Sequence, residues 1–145
     1  MKAFQPGGHM ARWNNTGTVM VYSSEHPALA AWEVANHWRE YASLNGYHLY
    51  SASFEDTHIQ QAPFDLEQGI PSLETSRSFG DDWIAAQISL ALRVPSVVAP
   101  HSWNYLLNPA HPEFYGQVQL EAHGPFQYDG RIQELVARAQ GKSTD

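Results

Sequence analysis

The chain has 145 residues, is 43% hydrophobic and 12% aromatic, and carries a formal charge of -7 from 15 acidic and 8 basic residues. That length and apolar share suit one packed domain over residues 1–145 and not a disordered segment. The lack of cysteine excludes disulfides, thiolate metal ligands and cysteine nucleophiles, and 8 Lys and Arg give no broad basic footprint for nucleic acid. No apolar run approaches the roughly eighteen residues of a membrane span, and the opening MKAFQPGGHMARW lacks the apolar core of a signal peptide; a cytoplasmic protein with no membrane partner is expected.

In chain order, residues 4–17 (FQPGGHMARWNNTG) are rich in Gly, Asn and Pro and read as a loop presenting Arg12 and Trp13. Residues 18–22 (TVMVY) predict a short strand. A helix follows, capped by Ser24, with Pro27 in its first turn and a stop at Asn45-Gly46; residues 28–35 are nearly all small or apolar, so it should be largely buried. Strands are expected over residues 47–54 and near His58, before a stretch punctuated by Pro63, Gly69 and Pro71.

Residues 81–94 (DDWIAAQISLALRV) place Trp83, Ile84, Ile88, Leu92 and Val94 at roughly helical spacing behind two acidic residues, which predicts a second helix. Residues 96–99 and 104–107 read as strands about a turn at residues 100–102, residues 117–123 alternate as a strand, and residues 131–140 predict an amphipathic helix. Strands and helices interspersed without a regular βαβ rhythm predict a mixed α+β fold.

Several residues could carry chemistry. Glu33 stands between Trp32 and Val34 in the apolar helix, where an unpaired buried carboxylate would cost several kcal/mol. It either joins His37 and Glu40 on a solvent stripe or serves as a carboxylate at a pocket wall, facing a cationic transition state. Arg12 in the glycine-rich loop reads as a surface arginine or as a fork for two phosphate oxygens. Tyr22 reads as a rim aromatic or a ligand stacker, and Ser96 as a strand-edge hydroxyl or a hydrogen-bond donor to ligand. No G-x-S-x-G surrounds Ser96 to make it a nucleophile. Asn104 and Asn108 in NYLLNP are equally open, since Asn before Pro is an ordinary turn residue. The 8 histidines are scattered without H-E-x-x-H, and no P-loop or G-x-G-x-x-G is present.

Three stretches in this order resemble the RES-domain toxins, a family named for an Arg, a Glu and a Ser. ARWNNTGTVMVY is similar to the family's G-R-W-N-x-x-G-x-x-V-x-Y opening, ALAAWEV to its small-residue helix bearing the Glu, and VPSVVAPHSWNYLLNPAHPEF with PFQYDGRI to its C-terminal half. The resemblance implies a compact α+β fold similar to ADP-ribosyltransferase toxins, acting on NAD+ as substrate with no prosthetic group and no metal. Arg12 falls on the family arginine that grips the diphosphate, Tyr22 on a tyrosine packing on nicotinamide or ribose, and Glu33 on the glutamate. The family serine falls on Ser96 or on Ser102; with Asn104 these would hold the amide or sugar.

The implied chemistry suits these residue types. Breaking the nicotinamide-ribose bond leaves an oxocarbenium-like ribose, which a carboxylate stabilises. Members of the family deplete NAD+ by hydrolysis or phosphorolysis, or transfer ADP-ribose to a protein acceptor. They pair with a DNA-binding antitoxin that occludes the pocket, so DNA contact is not expected of this chain. It departs from the family pattern at Ala11, where Gly is usual, and at His9-Met10, which interrupt the glycine run.

Overall fold

The computed structural model describes residues 4–37 and 43–141. Along them run β1 (Val21–Ser24), α1 (Pro27–Asn36), β2 (Tyr47–Ser53), β3 (Ile59–Gln61), α2 (Leu73–Ala86), β4 (Ala91–Pro95), β5 (Trp103–Leu107), α3 (Phe114–Gln117), β6 (Gln119–Phe126) and α4 (Gly130–Ala139). Four strands form a sheet in the order β1-β5-β4-β3, with β5 antiparallel to both β1 and β4 and with β3 parallel to β4. β2 and β6 form a separate antiparallel ribbon whose register shifts between Leu49 and Tyr50. The fold is mixed α+β, as the interspersed pattern predicts.

Alternation along the strands divides the apolar residues between two faces of the four-stranded sheet. One face buries Val21, Ala91 and Leu107 against Phe4, Phe114 and Val118, with Ala52 of β2 and Leu120 of β6 packed on them. The other buries Leu92, Val94 and Leu106 against Trp13, Met20 and Trp83, flanked by Phe79 and Ile84 of α2. A third cluster joins Ala35 of α1 to Tyr128, with Ile132 and Val136 of α4 beside it.

Several boundaries differ from the sequence expectations. The first strand is shifted to Val21–Ser24, so Ser24 ends β1 and does not cap α1. His26 does that instead, its Nδ1 accepting the Leu29 N–H at 3.1 Å, and Pro27 begins the helix. α1 ends at Asn36; residues 43–46, expected as its end, are not helical, and residues 38–42 lie outside the described residues.

The expected helix over residues 81–94 is two elements. α2 starts at Leu73, where Ser72 Oγ accepts the Thr75 N–H at 3.1 Å, and stops at Gln87, which takes a left-handed backbone with φ 49°. Trp83 and Ile84 do face the core from α2, whereas Leu92 and Val94 belong to β4 and Ile88 is exposed. Asp81 and Asp82 are in mid-helix and not at an N-terminus. Residues 96–99 are not a strand: Ser96 Oγ accepts the N–H groups of Val98 at 3.2 Å and Ala99 at 3.1 Å, folding the chain into a turn directly after β4.

Candidate functional site

At one end of the α2-side face the strands carry polar residues in place of the core. Ser24 pairs in register with Asn104, and Val94 also pairs with Asn104, so one pleat places Tyr22 and Ser24 of β1 on the same face as Asn104 of β5. Ser96 follows Val94 by two residues and is fully buried. α1 reaches this end because Glu33 lies one turn after Leu29, which is buried. Glu33 therefore turns to the sheet and not onto a solvent stripe.

The Glu33 carboxylate is held by the sheet. Its Oε1 accepts hydrogen bonds from Ser96 Oγ at 2.7 Å and Asn104 Nδ2 at 2.5 Å. Asn104 is oriented in turn by Ser24 Oγ, which donates to its Oδ1 at 2.6 Å, and the Ser96 oxygen is aimed by the two N–H groups it accepts. Oε2 of Glu33 takes no hydrogen bond from any described residue. The result is a half-buried carboxylate with one oxygen fixed and one available. Ser102 contributes backbone to this end, its carbonyl accepting the Ser96 N–H at 2.9 Å.

Arg12 and Tyr22 belong to a neighbouring group. The Tyr22 hydroxyl donates to Asn14 Oδ1 at 2.7 Å and accepts the Trp13 N–H at 3.0 Å, which ties the opening loop to β1. The hydroxyl is enclosed although the residue as a whole is 45% exposed, because its ring lies open on the face. Burial pushes the phenol up to about 12, against the lowering effects of the Trp13 N–H, Arg77 and Arg12. Arg12 Nη1 is buried and has no hydrogen-bond partner among the described residues. A buried donor left unsatisfied costs about 1–3 kcal/mol, so this nitrogen is suited to an acceptor brought by a ligand.

The loop is held from behind by α2. Arg77 Nε donates to the Ala11 carbonyl at 2.8 Å, and Asp81 accepts the Asn15 N–H at 3.1 Å and its side-chain amide at 2.7 Å. Desolvation works to raise the Asp81 carboxyl, but hydrogen bonds from Asn15 and Thr18 outweigh it and hold it below the usual carboxylate range. Between them Gly80 meets the Trp13 backbone so closely that a Cβ would stand 1.8 Å from its carbonyl oxygen. Arg77, Gly80 and Asp81 at i, i+3 and i+4 form one helix face against the loop.

Thus Glu33, Ser96 and Asn104 are in direct contact, Tyr22 shares their sheet face, and Arg12 flanks Tyr22, while the Ser102 side chain makes no hydrogen bond with a described residue. Ser24, Asn14, Arg77 and Asp81 were not signalled by sequence. Asn108 is buried and structural, its amide donating to the Ile84 carbonyl at 3.2 Å. Among the described residues no three His, Asp or Glu side chains gather as a metal site.

The family model described as RES domain matches residues 1–129. The chain is 34% identical over 128 residues to the Prs ADP-ribosylating toxin of Sphingobium sp., covering 83% of this chain and 79% of that protein. It is 31% identical over 128 residues to Toxin Res of Yersinia enterocolitica, covering 83% and 82%, and 29% identical over 126 residues to Toxin Res of Photorhabdus laumondii, covering 83% and 80%. A match over most of the chain, together with relatives above 30% identity, makes this protein a member of the RES domain family.

Proposed function

We propose that the chain is the toxin of a toxin-antitoxin pair and consumes cytoplasmic NAD+ by breaking its nicotinamide-ribose bond, by hydrolysis or phosphorolysis. The observation that carries this reading is the Glu33 carboxylate, anchored through Oε1 by Ser96 and Asn104 with Oε2 left open. When the C–N bond breaks, its electron pair leaves with nicotinamide, neutralising the pyridinium, and positive charge develops on the ribose. Glu33 stabilises that charge and holds a ribose hydroxyl. Because its geometry is set before substrate arrives, little reorganisation is needed at the reacting centre. Water or phosphate then bonds to the ribose carbon and releases a proton to solvent.

The remaining residues bind. Arg12 gives its unpartnered Nη1 to a diphosphate oxygen, and the open ring of Tyr22 packs on nicotinamide or ribose. Ser96 is the family serine in this assignment, since its hydroxyl and not that of Ser102 reaches Glu33. A cognate antitoxin covering this face would silence the enzyme. A second reading, transfer of ADP-ribose to a protein acceptor, is favoured by the relative named an ADP-ribosylating toxin. The two differ only in the nucleophile.

The test is induction of the chain without an antitoxin, beside Glu33→Gln, following cellular NAD+ and ADP-ribose on proteins. Collapse of NAD+ without labelled protein, with Glu33→Gln slower by about 10²- to 10³-fold in the purified reaction, supports NAD+ degradation. A discrete labelled protein with modest NAD+ loss supports transfer, and no change in either removes both readings.

A further inference from the structure

The sheet-end site accounts for Glu33, Ser96, Asn104, Tyr22 and Arg12, but it leaves unexplained an open concavity of about 630 Å³ beside α2, lined by Asn15, Leu73, Glu74, Arg77, Ser78, Asp81 and Asp82. Its cation is Arg77. Only Nε of that side chain is used internally, on the carbonyl of Ala11, so the guanidinium is held one residue from Arg12. Its terminal nitrogens make no hydrogen bond or ion pair with a described residue, although Glu74 and Asp81 stand one turn away on the same helix. Asp81 is engaged by Asn15 instead. Arg77 is thereby held against the loop that carries Arg12, with its terminal nitrogens open to an anionic ligand.

We infer that Arg77 is a second arginine for the diphosphate of the dinucleotide, sharing it with Arg12, and that the concavity between α2 and the opening loop receives the adenosine half. This rests on the NAD+-consuming reading above. The carboxylates of Glu74 and Asp82 suit ribose hydroxyls, and Leu73, 45% exposed, offers apolar surface to a base. Arg77 acts on binding and not on bond breaking, because the diphosphate carries the same charge before and after the C–N bond is cut.

The test is steady-state nicotinamide release by the purified chain, with Arg77→Gln and Arg77→Lys, alongside inhibition by ADP-ribose and the melting temperature of each variant. Arg77→Gln is expected to raise KM for NAD+ and the inhibition constant of ADP-ribose about tenfold, the loss of one charge-assisted hydrogen bond, with kcat near wild type. Arg77→Lys, which keeps the charge but not the planar guanidinium that can hold Ala11 through Nε and a ligand through its terminal nitrogens together, should recover most of that loss. A Lys variant as impaired as Gln overturns the proposal and leaves Arg77 a strut for the loop. Unchanged KM in Arg77→Gln with nicotinamide release intact overturns it while sparing the proposed function, whereas a wild-type chain that neither releases nicotinamide nor binds ADP-ribose overturns both.

Discussion

The two faces of the four-stranded sheet come from the same strands, and each passes from apolar to polar residues along them, but the polar ends do different things. On the first, Val21, Ala91 and Leu107 meet Phe114 and Val118 and give way to Ser23, Tyr105 and Arg93, whose guanidinium lies over the Trp103 ring and not on the Glu33 carboxylate. On the second, Leu92, Val94 and Leu106 give way to Tyr22, Ser24, Asn104 and Ser96, each hydrogen-bonded to another group. An apolar residue at Asn104 or Ser96 would leave the Glu33 carboxylate without a donor, so these polar side chains serve the carboxylate and not the core. The difference between the faces therefore marks which residues hold the fold and which hold a carboxylate in place.

Substitutions on either side can break that contrast. The largest effect on stability is expected from Phe114→Ala, on the first face, because Phe114 is fully buried: a loss of about 3–5 kcal/mol in urea unfolding, with NAD+ turnover by the folded fraction unchanged. Glu33→Gln should do the opposite. The amide oxygen still accepts from Ser96 and Asn104, so melting is nearly unchanged while turnover falls by the factor given above. If Glu33→Gln melted as early as Phe114→Ala, the division of labour would be wrong.

Gly80→Ala probes the support behind the site. A Cβ there must displace the Trp13 carbonyl, so a loss of about 1–3 kcal/mol is expected, and KM for NAD+ should rise because the displaced loop carries Arg12. The smallest effect belongs to Tyr22→Phe, about 1 kcal/mol for one lost hydrogen-bonding hydroxyl. Its signature lies in alkali. With the folded phenol near 12 and the unfolded one near 10.0, the stability it contributes is complete below about pH 10 and is lost as pH rises through about 12. Spectrophotometric titration should show a late phenol in the native protein that Tyr22→Phe removes, and its persistence in the variant would assign it elsewhere.

Much of the fold was legible where local pattern and tertiary role coincide. Residues 47–53 and 104–107 form strands as expected, and the amphipathic segment after Asp129 is α4. Legibility failed where one pattern ran across two elements. Apolar spacing continues from Trp83 through Val94 although helix becomes strand between them, because the stop is Gln87 in a left-handed conformation, with no Gly or Pro to announce it. Residues 96–99 have strand propensity, but the Ser96 side chain takes their N–H groups first.

The candidate site was proposed from sequence only through resemblance, which named Arg12, Tyr22, Glu33 and Ser96; of these the structure brings Glu33 and Ser96 into contact. Local spacing could not connect Glu33 to Asn104, whose contact spans 71 residues. Nor could it single out Arg77, a lone arginine in a helix whose start lies hidden behind Pro71-Ser72. Ser24 and Asn14 escaped for a similar reason: each is a common residue whose task is to orient another side chain.

The pairing of β1 with β5 also sets a clock on synthesis. Ser24 and Glu33 are made early, but the asparagine that bonds both comes from β5, 71 residues after Glu33. At translation speeds of about 5–20 residues per second, roughly 4 to 14 s separate the two ends of that contact. During that interval the nascent chain has the carboxylate without its cradle. A cell making this protein thus has several seconds per molecule in which the chain is present and the assembled site is not.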